Sequence, residues 1–470
     1  MRFCTMTLGC KVNQYETGAI EELLIKRGHE LAAPGDGCDV CIFNTCTVTA
    51  ESARKSRRGI RRLKKLEPGA LVAVYGCFSQ AEPEIAEKLG ADLISGTFNR
   101  HGFAYKIEET VLKNKDNICQ NDTKIEFKRK TNQKALNKTN NYLFEELPPG
   151  GSKNRTRALL KIQDGCDNYC TYCIVPQVRG RSRSLSLHVI SQYAKQIADQ
   201  GYKEIVITGI EISSYGKDQN QAQPAQNTKK NPYSAPLQNL PDTSCEIVLF
   251  PLIKAIQTIH AAAPNVRLRL GSIDPSIMTE GFINELKNIP NLCNHFHLSL
   301  QSGCDKTLKR MGRSYTAGQV KKAIETINKH FTDCGITADL ITGFPGETEN
   351  EFHQTLEFIK NAGFSNMHIF PFSPRTGTKA AEMQDQIDIT VRKQRAKIAS
   401  GISSITSNNF KLSQIGKIVT VLFEQEKNGY STGHSSNYLE INVKKKIDRN
   451  TIENVRITDV RNGMVSGEII

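Results

Sequence analysis

The chain has 470 residues and a net charge of +14 at pH 7, from 62 Lys or Arg against 48 Asp or Glu. This length predicts about three domains, and the positive balance favours a polyanionic partner such as a nucleic acid. No apolar run is long enough to span a membrane. The short apolar stretch near Met1 is interrupted at Cys10, unlike a secretory signal. We therefore expect a cytoplasmic protein without membrane contact, whose 14 cysteines bind metal rather than form disulfides.

Residues 1–112 alternate short apolar segments with amphipathic ones. Strands are predicted at Phe3–Leu8, Val40–Asn44, Leu71–Tyr75 and Asp92–Ser95, and helices at Tyr15–Gly28 and Glu82–Leu89. This alternation is typical of an α/β domain with an open parallel sheet, in which sites form at the carboxyl ends of strands.

Three cysteines of this first domain follow predicted strands. They are Cys10, Cys46 and Cys77. Because strand-end loops of one parallel sheet can converge, the three could share one metal centre. If the loops did not converge, each cysteine would more simply be a small buried hydrophobe.

A strongly basic segment follows the second of these cysteines. Its eight Lys and Arg residues, with no acid among them, are Arg54, Lys55, Arg57, Arg58, Arg61, Arg62, Lys64 and Lys65. The pattern predicts a helix with Ala53, Ile60 and Leu63 on its inner face. Like charges on one helix repel unless an anion compensates them. The five arginines are therefore predicted RNA contacts, and a merely solvated basic face is the alternative.

Residues 113–157 are rich in Asn, Lys and Thr and end in Pro148-Pro-Gly-Gly, which predicts a linker with little core of its own. Strand and helix patterns then alternate through residues 158–407. The six predicted strands are Leu159–Ile162, Glu204–Thr208, Val266–Leu270, His295–Leu300, Ile336–Ile341 and Met367–Phe372. Six such units predict a partial (β/α)6 parallel barrel with its chemistry at the carboxyl ends of the strands. The polar stretch 217–243 is predicted to be a disordered surface insertion.

Cys166, Cys170 and Cys173 directly follow the first of these strands, with the spacing Cys-x3-Cys-x2-Cys. Three thiolates on one short loop can hold three irons of a [4Fe–4S] cluster and leave the fourth iron open to a cofactor or substrate. The alternative is a structural zinc site, which normally needs four ligands. No fourth Cys or His stands nearby in the sequence, so the spacing favours the cluster.

Residues 408–470 show apolar residues with period two, interrupted by Asn428-Gly429 and Asn462-Gly463. The pattern predicts a small antiparallel β-barrel. Such barrels often bind nucleic acid, although many bind proteins.

The cysteine triplet, with Tyr172 before its last cysteine, resembles the radical S-adenosylmethionine (SAM) enzymes. Together with Cys10, Cys46 and Cys77, and with the strings Lys161–Cys166, Leu298–Gly303 and Asp339–Glu347, it resembles the radical SAM methylthiotransferases over nearly the whole chain. The resemblance implies a second [4Fe–4S] cluster on the first three cysteines and a C-terminal TRAM domain. It also implies that SAM binds the open iron of the first cluster and is cleaved to a 5′-deoxyadenosyl radical. At Asn450-Thr451 the chain departs from the TRAM pattern, where a glycine turn is usual.

Within that family, Gly9-Cys-Lys-Val-Asn13 resembles the MtaB branch. The MiaB branch, which acts on isopentenyladenosine in tRNA, has Gly-Cys-Gln-Met-Asn, and the RimO branch, which modifies a ribosomal protein aspartate, has Gly-Cys-Pro-Lys-Asn. The resemblance therefore implies insertion of sulfur and a methyl group at C2 of N6-threonylcarbamoyladenosine at position 37 of tRNA. The alternatives are MiaB-like and RimO-like activities. A non-catalytic RNA-binding [4Fe–4S] protein would require four ligands for each cluster.

Barrel geometry and the resemblance together give candidate SAM contacts near the carboxyl ends of strands. They are Tyr172, Thr208, Gly209, Glu211, Arg269, Ser272 and Gln301. Three have simpler roles available: an ion pair for Arg269, a helix cap for Ser272 and a turn for Gln301. The resemblance further implies tRNA as a partner and an external electron donor of the flavodoxin or ferredoxin type. We expect a monomer.

Overall fold

The computed structural model describes residues 1–118, 143–149, 155–218 and 250–470. Most of the predicted linker and of the predicted insertion lies outside the described residues. The described chain forms three units: an α/β sheet, a partial parallel barrel and a small closed β-barrel. No helix within these ranges has the length and hydropathy to cross a lipid bilayer.

The first unit is a five-stranded parallel sheet with the order β2-β1-β3-β4-β5. Its strands are β1 (Arg2–Thr7), β2 (Glu30–Leu31), β3 (Val40–Thr45), β4 (Leu71–Gly76) and β5 (Leu93–Ile94). Its helices are α1 (Lys11–Lys26), α2 (Ala50–Leu66), α3 (Cys77–Ala81), α4 (Pro83–Lys88) and α5 (Arg100–Ile118). Every residue of β3 and β4 is buried, since helices cover both faces of the sheet. The predicted open parallel sheet is confirmed.

The end of the first unit differs from the predicted boundary at residue 112. Helix α5 continues to Ile118. The segment 143–149, assigned from sequence to the linker, packs against the first unit, because Leu147 is buried against Tyr15 and Ala19 of α1. The Tyr15 hydroxyl donates a hydrogen bond to the Leu147 carbonyl at 2.6 Å. This part of the predicted linker therefore belongs structurally to the first unit.

The second unit is the partial parallel barrel. Its strands are β6 (Arg157–Lys161), β9 (Glu204–Thr208), β10 (Arg267–Leu270), β11 (Ser272–Ile273), β12 (His295–Gln301), β13 (Gly335–Thr342) and β14 (Asn366–Pro371). A short hairpin of β7 (Gln163–Asp164) and β8 (Arg183–Ser184) follows β6. The strands form two sheets, β10-β9-β6 and β11-β12-β13-β14, which meet where Gly271 alone separates β10 from β11, so among the described strands β6 and β14 are the outer edges. The barrel is open between them, as the prediction of six βα units requires.

Helices surround the barrel on its outer side. They are α6 (Val175–Arg179), α7 (Leu187–Asp199), α8 (Pro251–Ala262), α9 (Glu280–Lys287), α10 (Asp305–Met311), α11 (Ala317–His330), α12 (Glu349–Asn361) and α13 (Lys379–Glu382). Alternate strand residues such as Leu268, Phe296 and Ile336 belong to the apolar core beneath these helices. The intervening residues point the other way, into the lumen.

The lumen-facing set is strongly polar. It includes Arg157, Lys161, Glu204, Arg269, His295, His297, Asp339 and His368. Eight-stranded parallel barrels fill their interior with branched apolar side chains. The lumen is therefore suited to hold a polar molecule rather than to serve as a core.

The third unit is a closed five-stranded barrel with the order β15-β16-β17-β19-β18, reached through the long helix α14 (Ile389–Leu412). Its strands are β15 (Ile418–Lys427), β16 (Tyr430–Ser435), β17 (Glu440–Val443), β18 (Ile452–Arg461) and β19 (Met464–Ile469). The small β-barrel is confirmed, but a wholly antiparallel one was wrong, because β17 and β19 pair in parallel. A closed ring with an odd number of strands must contain at least one parallel pair. The predicted boundary at residue 408 falls inside α14.

The outer units cover two openings of the central barrel. The first unit lies across the gap between β6 and β14. On one side Lys161 of β6 pairs with Glu16 of α1 at 3.0 Å. On the other, the Ala50 amide donates to Ser373, just after β14, at 3.0 Å. The third unit lies at the amino ends of the strands, where Arg269 donates to the Ser435 carbonyl at 3.1 Å.

Candidate active site

The loop that carries Cys166, Cys170 and Cys173 connects β7 to α6. It turns sharply at Gly165, which has a φ of +71° and leaves no room for a side chain, since a Cβ there would lie 1.9 Å from the Arg181 carbonyl oxygen. The Cys166 amide donates to the Gly180 carbonyl at 3.1 Å, and the Cys173 amide to the Cys170 carbonyl at 3.0 Å. The three thiols are thereby held close enough to influence one another electrostatically.

An arginine stands directly beside this triplet. Arg313 donates to the Cys170 sulfur at 3.2 Å and pairs with Asp274 at 2.8 Å. Burial raises the pKa of the Cys166 and Cys173 thiols to about 12. Thiolates at this loop therefore need nearby positive charge. The irons of a cluster and the Arg313 guanidinium would both supply it. Sequence reasoning missed Arg313, which lies far along the chain from the cysteines.

The second triplet lies at the carboxyl ends of three adjacent strands. Cys10 precedes α1, Cys46 directly follows β3, and Cys77 directly follows β4. Gly9, with a φ of +106°, allows the Cys10 loop to approach closely, because a Cβ there would lie 3.0 Å from the Cys46 sulfur. Burial raises the pKa of Cys77 to about 12, and Cys46 and Cys10 contribute to the shift. The expected convergence of the three loops is observed.

The donor set of each triplet distinguishes between the kinds of metal centre it could hold. Each triplet offers three soft sulfur ligands. A structural zinc site normally has four ligands, whereas three thiolates can hold three irons of a [4Fe–4S] cluster and leave the fourth iron open. The donor sets therefore fit a cluster better than a single zinc ion.

The elements that carry the two triplets pack against each other across the interface between the first and second units. Cys77 packs against Ile174 and Val178, which follow Cys173 in the chain. The Thr97 hydroxyl donates to the Val178 carbonyl at 2.5 Å. The elements that carry both sets of sulfur ligands are thus in direct contact.

Arg179 connects the two cysteine loops through its guanidinium group, which is fully buried. It donates to the Cys77 sulfur at 3.4 Å and to Asn13 at 2.8 Å, both in the first unit. It also pairs with Glu16 and with Asp164, two residues before Cys166, each at 2.9 Å. This residue was not predicted from the sequence.

Glu16 is the centre of this buried charge network. It accepts from Arg100 at 2.5 Å and from Lys161 at 3.0 Å, in addition to Arg179. Burial would raise the pKa of Glu16, but the three cations hold that pKa well below its usual range. Such a network is costly to disrupt, because removing one member leaves an uncompensated buried charge.

Several of the candidate SAM contacts lie at the cysteine end of the barrel. Tyr172 packs edge-on against Phe344, with the ring centroids 6.3 Å apart. Thr208 ends β9. Burial, with a contribution from Asp274, raises the pKa of Glu211 to about 7.

The small size of Gly209 has a structural reason within the protein, while its approach to SAM stays a prediction. A Cβ there would lie 2.9 Å from Gln163, whose side-chain oxygen accepts from the Glu211 amide at 2.8 Å. Gly209 therefore makes room for Gln163. Ser272 begins β11 beyond the end of β10, and Gln301 ends β12 with a φ of +65°, as a turn residue would.

Arg269 lies at the other end of the barrel from the cysteine loop. It pairs with Glu204, the first residue of β9, at 2.7 Å, and it donates to the carbonyls of Ser435 and Ser436 in the third unit. The expected contact with the SAM carboxylate is therefore not supported. The alternation of residues along the strand predicts that Arg269 faces the lumen. It does not predict that the Arg269 guanidinium is already bound by Glu204 and by carbonyls of the third unit.

The basic segment is helix α2, with Ala53, Ile60 and Leu63 buried as predicted. Two of its candidate RNA contacts form ion pairs within the protein, Arg54 with Glu51 at 2.7 Å and Arg57 with Glu82 at 3.5 Å. The other three, Arg58, Arg61 and Arg62, are exposed. They form the part of the helix that is available to an anion.

Family comparisons agree with this arrangement of domains. Residues 160–359 match the family model described as "Radical SAM superfamily", and residues 2–96 match "Uncharacterized protein family UPF0004". One solved structure, the radical S-adenosylmethionine methyltransferase TsrM from Kitasatospora setae, is similar with a TM-score of 0.51 at 13% identity. The match covers 81% of this chain and 77% of that chain, and it shows the fold alone.

Proteins related in sequence identify the family more specifically than the solved structure does. The chain is 34% identical to the threonylcarbamoyladenosine tRNA methylthiotransferase MtaB of Bacillus subtilis, over 93% of this chain and 88% of that protein. It is 32% identical to the MtaB protein of Thermotoga maritima, over 92% and 89%. A tRNA-2-methylthio-N(6)-dimethylallyladenosine synthase of Natranaerobius thermophilus is 32% identical, over 84% and 79%. Identity at this level over nearly the full length of two MtaB proteins shows that the chain belongs to the radical SAM methylthiotransferase family.

Proposed function

We propose that this protein inserts sulfur and a methyl group at C2 of N6-threonylcarbamoyladenosine at position 37 of tRNA. The observation that carries the proposal is the contact between the elements that carry the two cysteine triplets, seen where Cys77 of the first unit packs against Ile174 and Val178, which follow Cys173 in the second. When bound, SAM and two [4Fe–4S] clusters supply the radical, sulfur and methyl chemistry that an unactivated ring carbon requires. The similarity to MtaB proteins over more than nine-tenths of the chain supports the choice of substrate.

The residues of the chain would prepare this site in three ways. The Cys166 loop and the three strand-end cysteines would hold one cluster each. Arg313 and Arg179 place positive charge against a sulfur of each triplet, which stabilises the anionic thiolates. The polar lumen would admit the modified adenine between the two triplets and exclude bulk water from it.

Further features of the proposal concern SAM and the partners. The candidate SAM contacts that lie on the cysteine side of the barrel are Tyr172, Thr208, Gly209, Glu211, Ser272 and Gln301. The exposed arginines of α2 would contact the tRNA backbone. An external electron donor of the flavodoxin or ferredoxin type would reduce the first cluster, and the protein would act as a monomer in the cytoplasm.

The test compares tRNA nucleosides from cells with and without the gene by mass spectrometry. Loss of 2-methylthio-N6-threonylcarbamoyladenosine, with accumulation of its unmethylthiolated form, is expected. Restoration by the wild-type gene, but not by one lacking Cys166, Cys170 and Cys173, would tie the loss to this protein. If the dimethylallyl form were lost instead, the substrate assignment would be wrong.

A further inference from the structure

Strand β14 presents an exposed histidine and an exposed phenylalanine to the barrel lumen. Met367 and Ile369 of this strand pack into the apolar core beneath the helices. The alternate residues His368 and Phe370 therefore point the other way, into the lumen. The exposed fraction is 62% for the His368 side chain and 44% for Phe370. Both side chains are thus accessible to a molecule that enters the lumen.

Asp339, on the adjacent strand β13, orients the His368 ring. Its Oδ1 lies 3.6 Å from His368 Nδ1, while its Oδ2 lies 3.2 Å from His297 Nε2. The rings of His297 and His368 are 5.8 Å apart between their centroids. His297 is held in turn by Thr337, whose hydroxyl lies 2.8 Å from His297 Nδ1. One carboxylate thus contacts two imidazoles, and no described residue forms a hydrogen bond with His368 Nε2.

Phe370 lies nearer to the loop of the first cysteine triplet than His368 does. Beyond the carboxyl end of β14, Phe372 packs against Phe344 with the ring centroids 5.2 Å apart. Phe344 also packs against Tyr172 on the cysteine loop. The face of β14 that lines the lumen therefore changes from polar at His368 to aromatic at Phe370 as it approaches the cysteines.

We infer that Phe370 and His368 bind the modified adenine and that His368 selects its N6 substituent. This inference rests on the proposed function, which places that adenine in the lumen. A base stacks on an aromatic side chain, and Phe370 offers such a surface. The threonyl group carries a hydroxyl and a carboxylate. His368 Nε2 accepts from the hydroxyl when the ring is neutral and donates to the carboxylate when the ring is protonated. A dimethylallyl group forms no hydrogen bond and leaves this nitrogen without a partner.

The spacing of the two side chains suits a base with a polar arm. Alternate residues on one face of a strand lie about 6.5 Å apart. The threonyl group is joined to the ring through a carbamoyl linkage, which carries its hydroxyl and carboxylate several bonds beyond the ring. A ring stacked on Phe370 reaches His368 through this arm. An unmodified adenosine has no such arm, so its binding does not depend on His368.

The test measures binding of anticodon stem-loop RNAs to the reconstituted enzyme under anaerobic conditions. The RNAs carry threonylcarbamoyladenosine, dimethylallyladenosine or unmodified adenosine at position 37. Because the rest of the RNA is the same, the ratios of their affinities report on the N6 substituent alone. Wild-type enzyme should bind the threonylcarbamoyl RNA at least about fivefold more tightly than the dimethylallyl RNA, as expected for one additional hydrogen bond.

Variants of the two residues should have different effects. His368→Phe should abolish the preference and keep the affinity for unmodified RNA, whereas His368→Gln, which retains hydrogen-bonding groups, should keep part of the preference. Phe370→Ala should weaken the binding of all three RNAs by roughly 5- to 100-fold, because stacking involves the ring and not the substituent. The control is His353→Phe, since His353 is exposed on α12 and pairs with Glu349 at 3.4 Å. It should change none of the affinities.

The outcomes separate this inference from the proposed function. A wild-type enzyme that binds both modified RNAs equally, or a His368→Phe variant that keeps the preference, would overturn the inference. Equal loss of affinity for all three RNAs in His368→Phe would also overturn it, because the histidine would then only support the fold. If the wild type showed the preference but did not methylthiolate the threonylcarbamoyl RNA, the proposed function would be wrong and the binding role of His368 would stand. Iron content and thermal unfolding of each variant show that it is folded.

Discussion

At the residue scale, one cysteine of each triplet accepts a hydrogen bond from an arginine that lies outside both cysteine motifs. Arg313 contacts the Cys170 sulfur and Arg179 the Cys77 sulfur. Hydrogen bonds to the sulfurs of an iron–sulfur cluster are one of the factors that set its reduction potential. In each case the arginine and the cysteine are more than 100 residues apart in the chain, so spacing could not reveal them.

Replacing Arg179 with Gln should affect both stability and the second cluster. The change leaves Glu16 and Asp164 with one cation fewer in a buried network, which costs roughly 3–5 kcal/mol of unfolding free energy when a buried pair is broken. Loss of the N–H···S bond to Cys77 should make the potential of the second cluster more negative. Denaturant unfolding measures the first effect, and a redox titration followed by electron paramagnetic resonance measures the second.

Arg181→Gln is the matched control, because Arg181 is exposed and pairs with Asp167 at 3.3 Å on the same loop. It should leave the unfolding free energy and the reduction potential of the second cluster nearly unchanged. Equal effects from the two variants, or an unchanged potential in Arg179→Gln, would show that Arg179 only stabilises the fold.

At the scale of elements, each cysteine set depends on a different kind of loop. One set lies on the single turn between β7 and α6, while the other is assembled from the ends of β1, β3 and β4. Both positions follow the rule that chemistry in parallel sheets lies at the carboxyl ends of strands. The two loops can therefore be changed independently.

Changing Cys166, Cys170 and Cys173 together to Ala should remove the cluster that binds SAM. Iron after anaerobic reconstitution should fall from about eight per chain to about four, and SAM cleavage should stop. Iron analysis and chromatography of 5′-deoxyadenosine check this. A variant that still cleaves SAM would refute the role of this loop.

Changing Cys10, Cys46 and Cys77 to Ala should instead keep SAM cleavage and stop methylthiolation, since these cysteines lie in the other unit. The readouts are 5′-deoxyadenosine and methylthiolated nucleoside measured in the same reaction. Normal product formation would mean that the three cysteines are only structural.

Helix α2 should bind the tRNA backbone through three exposed arginines that form no ion pair with a described residue. Changing Arg58, Arg61 and Arg62 to Gln should weaken tRNA binding, and each lost phosphate contact should lower the slope of log affinity against log salt by roughly 0.7–0.9. Binding measured at several salt concentrations gives the slope. We leave Arg57 unchanged because it pairs with Glu82.

The control for α2 replaces Lys321 and Lys322, which are exposed on α11. It removes positive charge from the barrel surface and should leave the slope unchanged. If the α2 variant kept both slope and affinity, the helix would be a solvated basic surface and no more.

At the scale of the whole molecule, the partial barrel is completed by its neighbours. The first unit lies across the gap between β6 and β14, and the third unit lies at the amino ends of the strands. The fit of the third unit is close at Gly335, where a Cβ would lie 2.1 Å from the Asn437 carbonyl oxygen. Tyr438, the residue after Asn437, stacks on His295, with the ring centroids 4.5 Å apart. The lumen is thus bounded by all three units.

Gly335→Ala should therefore separate the third unit from the barrel. The added methyl group overlaps backbone that cannot rotate away, which should lower the unfolding free energy by about 1–3 kcal/mol. Thermal unfolding and limited proteolysis in α14 measure the effect. Proteolysis should become faster, because α14 connects the two units.

Gly401→Ala is the comparison, since Gly401 lies within α14 and a Cβ there meets nothing within 4 Å. It should stabilise the protein by up to about 1 kcal/mol, because alanine favours helix over glycine. If Gly335→Ala were as stable and as resistant to protease as the wild type, the third unit and the barrel would not be tightly packed at this point.

Much of the fold follows from local patterns. Hydrophobic patterns predicted most strands of both parallel units within a few residues, as at Glu204–Thr208 and His295–Gln301, but not the two-residue strands β2, β7, β8 and β11. The spacing of Cys166, Cys170 and Cys173 likewise placed one triplet on a single loop. The alternation of charged and apolar residues in Arg267–Leu270 also indicates a polar lumen, a signal that the strand predictions did not use.

The contacts that build the site depend on parts of the chain far apart in sequence. The neighbours of Arg179 and the contacts of Arg269 with the Ser435 and Ser436 carbonyls arise only when separate units pack together. Local sequence patterns specify which face of an element is apolar. They do not specify which distant charge will meet a given side chain, because that is set by the packing of whole elements.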